Sequence, residues 1–112
     1  DQVKLTTTFS RRGLIAEYGL AWMLPRIIGL SNALELMLSA RTIDGAEALR
    51  LGLVSSVFPA DQFMEEVNVY AKELARKTSP RSNRIIKRMA YEALFTELKP
   101  ALDLAIDEML LS

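Results

Sequence analysis

Apolar residues recur at steps of three and four along most of this chain, and two stretches break that rhythm. Residues 4–9, Lys-Leu-Thr-Thr-Thr-Phe, are rich in β-branched and aromatic side chains, which suit a pleated, half-buried surface and predict a short strand or extended segment. Residues 53–58, Leu-Val-Ser-Ser-Val-Phe, form a second β-like segment, ended by Pro59. Between them, Ser10 to Gly13 turns the chain, and a helix is expected over 18–28 with Gly19 in its first turn and Gly29 just past its end. Pro25 inside that stretch predicts a kink or a short 3₁₀ ending. Ser31 is the expected N-cap of a helix over 32–40, and Asp44-Gly45-Ala46-Glu47 has the spacing of a capping box, opening a short helix over 45–51 that Gly52 stops.

Beyond Pro59 the pattern is helical throughout. Asp61 is placed to cap a helix whose apolar positions Phe63, Val67, Tyr70, Ala71 and Leu74 share one face. Ser79-Pro80 reads as a cap followed by proline at the first helical position, where its missing amide is harmless. The helix that follows carries Ile85, Ile86, Met89, Ala90, Ala93 and Leu94 on one side. A last helix, beginning near Thr96 with Pro100 in its first turn, is expected to bury Leu102, Ala105, Ile106, Met109 and Leu110. Three amphipathic helices in succession must hide their stripes on one another or on another chain. The pattern therefore predicts a mainly α chain with one or two short strands, without internal repeats or flexible linkers.

Composition sharpens this picture. At 112 residues the chain is one domain or part of one. Half of its residues are hydrophobic and its mean hydropathy is +0.13, greasy for a small domain, so some apolar surface is expected to meet a partner. The chain starts at Asp1 rather than methionine, and its first residues read as the middle of a strand, as in a fragment of something longer. Fourteen basic and fourteen acidic residues cancel, leaving no global field to draw the protein onto nucleic acid or anionic lipid. No cysteine and no histidine are present, which excludes a thiolate nucleophile, a Ser-His-Asp triad and thiolate- or His-ligated metal sites within these residues. The apolar run Leu20 to Leu24 falls far short of the roughly 18 residues that span a bilayer. A cytoplasmic, reducing environment fits these features.

The charges are unevenly placed. Residues 74–91 hold Arg76, Lys77, Arg81, Arg84, Lys87 and Arg88 and no acid, whereas residues 92–108 hold five acids and only Lys99. Two solvated helix faces pairing side by side is one reading; a phosphate-binding rim is the other.

One residue stands out chemically. Glu17 lies between an apolar run and the glycine that opens the first helix. Flanked by Ile15 and Trp22, its carboxylate could be partly desolvated, which disfavours the charged form and allows proton exchange near neutral pH. A place in the helix's first turn would instead stabilise the anion. An ordinary dipole-stabilising glutamate and a general acid/base both remain open on residue chemistry alone. Tyr18 and Trp22 are either core or pocket residues, and Arg11-Arg12 either a solvated turn or a phosphate contact.

The runs Arg11-Arg12-Gly13-Leu14-Ile15-Ala16-Glu17, Leu24-Pro25-Arg26-Ile27-Ile28-Gly29, Ala33-Leu34-Glu35-Leu36-Met37-Leu38-Ser39-Ala40-Arg41 and Ala46-Glu47-Ala48-Leu49-Arg50-Leu51-Gly52-Leu53-Val54, with Phe58-Pro59, together resemble the enoyl-CoA hydratase/isomerase (crotonase) family. The resemblance covers nearly the whole chain, in order. It implies the C-terminal part of an α/β crotonase-like fold, with residues 1–58 ending the spiral core and carrying the active-site helix, and 59–112 a helical assembly region. It further implies acyl-CoA thioester substrates, no cofactor beyond the CoA they carry, no metal, and assembly as trimers or hexamers through C-terminal helices. The oxyanion amides and first hydratase glutamate of such proteins would lie before Asp1. The second hydratase glutamate falls at Phe9, which can neither position water nor move a proton. Glu17 falls where some dienoyl-CoA isomerases and 4-chlorobenzoyl-CoA dehalogenases carry a functional aspartate. The resemblance thus points to Glu17 as general acid/base, favours isomerisation over hydration, and offers Phe9, Leu14, Tyr18 and Trp22 as substrate-binding residues. An inactive assembly fragment and an acyl-CoA binder without catalysis are the alternatives.

Overall fold

The computed structural model, which describes residues 2–111, keeps only two residues of the expected strand over 4–9 in a ladder. Strand β1, Lys4–Leu5, pairs antiparallel with β2, Ile43–Asp44, in the register Lys4 with Asp44 and Leu5 with Ile43. The rest of the threonine run leaves the ladder because its hydroxyls find better partners. Thr6 Oγ1 donates to the Ala40 carbonyl and Thr7 Oγ1 to the Leu36 carbonyl, each at 3.0 Å. A 3₁₀ turn, Ser10–Arg12, follows and is closed by Gly13 at φ 69°.

Helix α1, Leu20–Ile28, starts two residues later than the pattern predicts, because Tyr18 and Gly19 are both left-handed, at φ 55° and 76°. It runs through Pro25 and ends on an α-type bond from the Gly29 N–H to the Pro25 carbonyl at 2.9 Å, not on a 3₁₀ turn. Gly29 itself, at φ 84° and ψ 158°, joins α1 to α2, Leu30–Ser39. That conformation is open essentially to glycine alone. It lets α2 begin at once, so the expected cap, Ser31, lies inside the helix. Helix α3, Gly45–Leu51, is capped as predicted by Asp44, whose carboxylate accepts from the Glu47 N–H at 2.9 Å. Residues 53–58 do not pair as a strand: the Leu53 and Val54 amides turn back onto the Ala48 carbonyl, at 2.9 and 3.4 Å, and wrap the end of α3.

Helix α4, Phe63–Lys77, is entered through a turn in which the Gln62 N–H bonds the Pro59 carbonyl at 3.0 Å, so Asp61 sits in that turn rather than at the cap. Helix α5, Pro80–Ala93, has Ser79 as its N-cap and Pro80 as its first residue. Helix α6, Leu98–Leu110, is preceded by Glu97 and carries Pro100 in its first turn.

The chain divides into two units, one ending at Glu66 and the other beginning at Val67. In the first, Leu24, Ile28, Ala33, Leu36, Ile43 and Ala48 form the core, with Leu5, Leu20, Met37, Leu51, Leu53 and Val54 packed around it. In the second, α5 and α6 lie together, joined by ion pairing of Arg88 with Glu108 and by a 3.2 Å bond from Arg81 to the Leu111 carbonyl. The basic and acidic runs therefore pair in part. The faces expected to be buried are turned differently. On α5 Ile85 and Met89 are half-buried while Ile86 and Leu94 are exposed. On α6 Ala101, Leu104 and Ala105 turn inward, whereas Leu102, Ile106, Met109 and Leu110 stay exposed. The α4 stripe of Phe63, Val67, Tyr70, Ala71 and Leu74 is exposed as well.

Leu36 belongs to the first unit's core at 5% exposure. Leu36→Ala should destabilise that unit by about 2–5 kcal/mol, as emptied leucine sites do, read as a lower denaturant midpoint with an unchanged slope.

Candidate functional site

The segment from Thr6 to Arg11 is pinned to one place, the C-terminal end of α2. Besides the two threonine bonds, Ser10 Oγ donates to the Leu38 carbonyl at 3.1 Å and Arg11 Nε to the Ser39 carbonyl at 3.2 Å. Helix C-termini leave carbonyls without intrahelical partners and favour cations, so these four donors fit that end chemically. Arg11 is thereby engaged with a helix end. Phe9, half-buried, begins the 3₁₀ turn, and its carbonyl accepts from the Arg12 and Leu14 amides at 3.0 and 2.9 Å. Phe9 and Leu14 are thus the two expected binding residues that the backbone brings together.

From Leu14 the chain is irregular up to a four-residue turn, Glu17-Tyr18-Gly19-Leu20. The Leu20 N–H bonds the Glu17 carbonyl at 3.0 Å, and both central residues have positive φ, the signature of a type I′ turn. Glycine adopts that conformation freely, but a left-handed tyrosine costs about 1–2 kcal/mol. The Gly19 carbonyl then starts α1, accepting from the Trp22 and Met23 amides at 3.1 and 2.9 Å.

Glu17 therefore stands outside the helix rather than in its first turn. Its side chain is exposed, so Ile15 and Trp22 do not desolvate it as expected. Its carboxylate has no hydrogen bond or ion pair among the described residues. Tyr18 is 98% exposed and Leu14 half exposed. Trp22, at 36% exposure, is stacked by its own helix: the Arg26 guanidinium lies 3.9 Å from the ring centroid and donates to the Trp22 carbonyl at 2.7 Å. Glu17, Leu14, Tyr18 and Trp22 thus sit on one continuous segment without closing a pocket of their own.

The first unit does contain an open apolar cleft of about 200 Å³, lined by Leu5, Thr6, Thr7, Leu20, Leu24, Leu36, Arg41, Ile43 and Leu53. None of the five expected site residues lines it. Leu20 connects the two, its side chain in the cleft wall and its amide on the Glu17 carbonyl. The threonine run concealed this arrangement in the sequence, since hydroxyl caps and strand residues share one composition.

Arg41 bridges the elements beside the cleft. It bonds Glu35 at 2.8 Å and Glu47 at 3.0 Å, and Glu47 also takes Arg50 at 2.6 Å. Glu47 thus faces two guanidinium groups instead of completing the capping box. The Arg50 and Arg41 hydrogen bonds hold its carboxyl down at about 2, and Arg41 and Arg50 are raised in turn. Among the described residues no group of acids and histidines could hold a metal ion, and no helix is long and apolar enough to cross a membrane.

The geometry finds close counterparts among known proteins. A sequence profile described as enoyl-CoA hydratase/isomerase matches residues 1–111. Probable enoyl-CoA hydratase echA8 of Mycobacterium bovis is 35% identical over 94 residues, covering 84% of this chain and 35% of that protein. The glyoxysomal fatty acid beta-oxidation multifunctional protein MFP-a of Cucumis sativus is 38% identical over 68 residues, 61% of this chain and 9% of its own. A probable enoyl-CoA hydratase/isomerase from Mycobacterium abscessus superposes with a TM-score of 0.87 at 29% identity, over 96% of this chain and 42% of its own. The fold is thus that of the crotonase enzymes. The chain belongs to the enoyl-CoA hydratase/isomerase family and spans about two fifths of the length of its structural counterparts.

Because the Glu47 carboxyl is held below its ordinary value near 4.5, its contribution to stability is complete above that pH and is lost as pH falls towards about 2. Unfolding midpoints measured across that window should fall with acid. Glu47→Gln should flatten that slope.

Proposed function

We propose that the full-length protein acts on acyl-CoA thioesters, shifting a double bond, with Glu17 as general acid/base. The observation that carries this reading is the Glu17 carboxylate: exposed, unpaired among the described residues, and presented by a hydrogen-bonded turn beside Leu14, Tyr18 and Trp22. A carboxylate that moves a proton must be free to reach the reacting carbon. In the proposed step it takes a proton from one carbon of the acyl chain, the electron pair moves towards the thioester, and negative charge develops on the thioester oxygen. The neutral acid then returns the proton to another carbon, leaving the double bond displaced.

Backbone amides aimed at the thioester oxygen would stabilise the enolate. They are assigned to the part of the family fold that residues 1–112 do not span, so these residues alone are expected to be inactive. Phe9 at the position of the second hydratase glutamate favours isomerisation, since it cannot orient water. Phe9, Leu14, Tyr18 and Trp22 are proposed to meet the acyl chain. No metal or cofactor beyond CoA is required. Support for the substrate class comes from two Thermobifida fusca structures of a putative enoyl-CoA hydratase, solved with CoA and with acetoacetyl-CoA, each at a TM-score of 0.88 and 25% identity. The Cucumis sativus relative's place in fatty acid beta-oxidation supports a fatty acyl chain, and a cytoplasmic setting is proposed.

A second reading, assembly, is favoured by α6. Leu98, Leu102, Ile106, Met109 and Leu110 form a stripe spaced at three and four residues that remains exposed. We assign it to subunit contacts in a trimer or hexamer.

Glu17→Gln should lower turnover by roughly two to four orders of magnitude, followed spectroscopically as migration of the double bond in an enoyl-CoA; unchanged turnover would overturn the assignment. Ile106→Glu should shift the mass measured by light scattering towards the monomer. An unchanged mass would remove α6 from the subunit contact.

A further inference from the structure

We infer that the turn Glu17-Tyr18-Gly19-Leu20 presets the point and direction from which the Glu17 side chain leaves the backbone, making Tyr18 and Gly19 positioning residues through their backbone conformation. This deepens the reading of Glu17 as the acid/base and rests on it.

The Glu17 backbone is held at the turn. Its carbonyl is tied to the Leu20 amide at 3.0 Å, and Leu20 is anchored as the first residue of α1 with its side chain in the core-lining cleft. One end of the turn is therefore rigid. The direction in which residue 17 leaves the turn is then fixed by the two dihedral pairs between, both in the left-handed region, at φ 55° for Tyr18 and φ 76° with ψ 12° for Gly19. Either residue reverting to the ordinary right-handed or extended region breaks the Glu17–Leu20 bond and swings the carboxylate away.

Tyr18 holds its positive φ at a cost. Asparagine or glycine would hold this position at lower cost, and the tyrosine ring is 98% exposed, so packing within the described residues does not repay the strain. Strain held without local return is found where geometry serves a function. At Gly19 the reason for glycine is conformational rather than steric, since nothing lies within 4 Å of where a Cβ would stand. Substitutions there read backbone preference alone.

The test is a series at Gly19 in the full-length protein: Gly19→Asn, Gly19→Ala and Gly19→Val, in falling order of tolerance for positive φ, with Glu17→Gln assayed alongside. Turnover should follow that order, with Gly19→Val at least about tenfold below Gly19→Asn, in line with the sensitivity of catalysis to small misplacements. KM should move much less than kcat, because the acyl-CoA contacts are intact. A parallel pair, Tyr18→Asn and Tyr18→Val, removes the same ring while differing in tolerance for the left-handed region. The asparagine should have the higher kcat at similar KM, and this pair decides the matter if Gly19→Val does not fold. Equal kcat across the Gly19 series, or equal kcat in the Tyr18 pair, would overturn the inference while leaving Glu17 in place. Full turnover in Glu17→Gln would instead overturn the reading on which it rests.

Discussion

The C-terminal end of helix α2 is the point to which the rest of the first unit is tied. Carbonyls at a helix C-terminus are left open to outside donors, and Thr6, Thr7, Ser10 and Arg11 donate to Ala40, Leu36, Leu38 and Ser39 in turn, the Leu36 carbonyl also taking the Ala40 N–H. These four bonds decide where β1 ends and where the 3₁₀ turn sits. They also fix the height at which the chain departs towards Glu17. Two residues beyond the helix, Arg41 reaches back to Glu35 and forward to Glu47, binding α2 to α3. Exposed ion pairs taken singly add little. This network matters chiefly because it joins elements that share no hydrogen-bonded ladder.

That dependence explains which features were legible in the sequence. The α3 cap, the Ser79-Pro80 start of α5 and the glycines at 29 and 52 were legible because caps and left-handed positions are written in a few adjacent residues. The strand boundaries were not. A threonine run is equally suited to a ladder and to capping a distant helix, and the choice here is made by carbonyls 29 to 34 positions away. The same limit applied to the helical faces: periodicity located the α6 stripe but could not tell that Ala101, Leu104 and Ala105 are half-buried while the larger side chains stay exposed. The family was legible because its motifs recur in order along the whole chain. The cleft beside Arg41 was not, since its lining comes from elements distant in sequence.

The candidate site follows the same logic of a fixed base and a projecting group. Glu17 was legible as a lone acid in an apolar run, yet its helical setting was misplaced by two residues, because a left-handed tyrosine is seldom expected. The carboxylate accordingly stands outside α1, carried on a hydrogen-bonded turn. Leu14, Tyr18 and Trp22 on the same segment are exposed, the apolar surface that the proposed function assigns to an acyl chain. In the proposed function Phe9, by contrast, stands where water addition would need a second acid.

The most direct measurement is the mass of the product that the full-length protein forms from an enoyl-CoA in ordinary water. The account predicts a product of unchanged mass with its double bond moved, as proton transfer by a single carboxylate demands. A product heavier by one water would contradict it, because hydration would then proceed despite the phenylalanine at position 9.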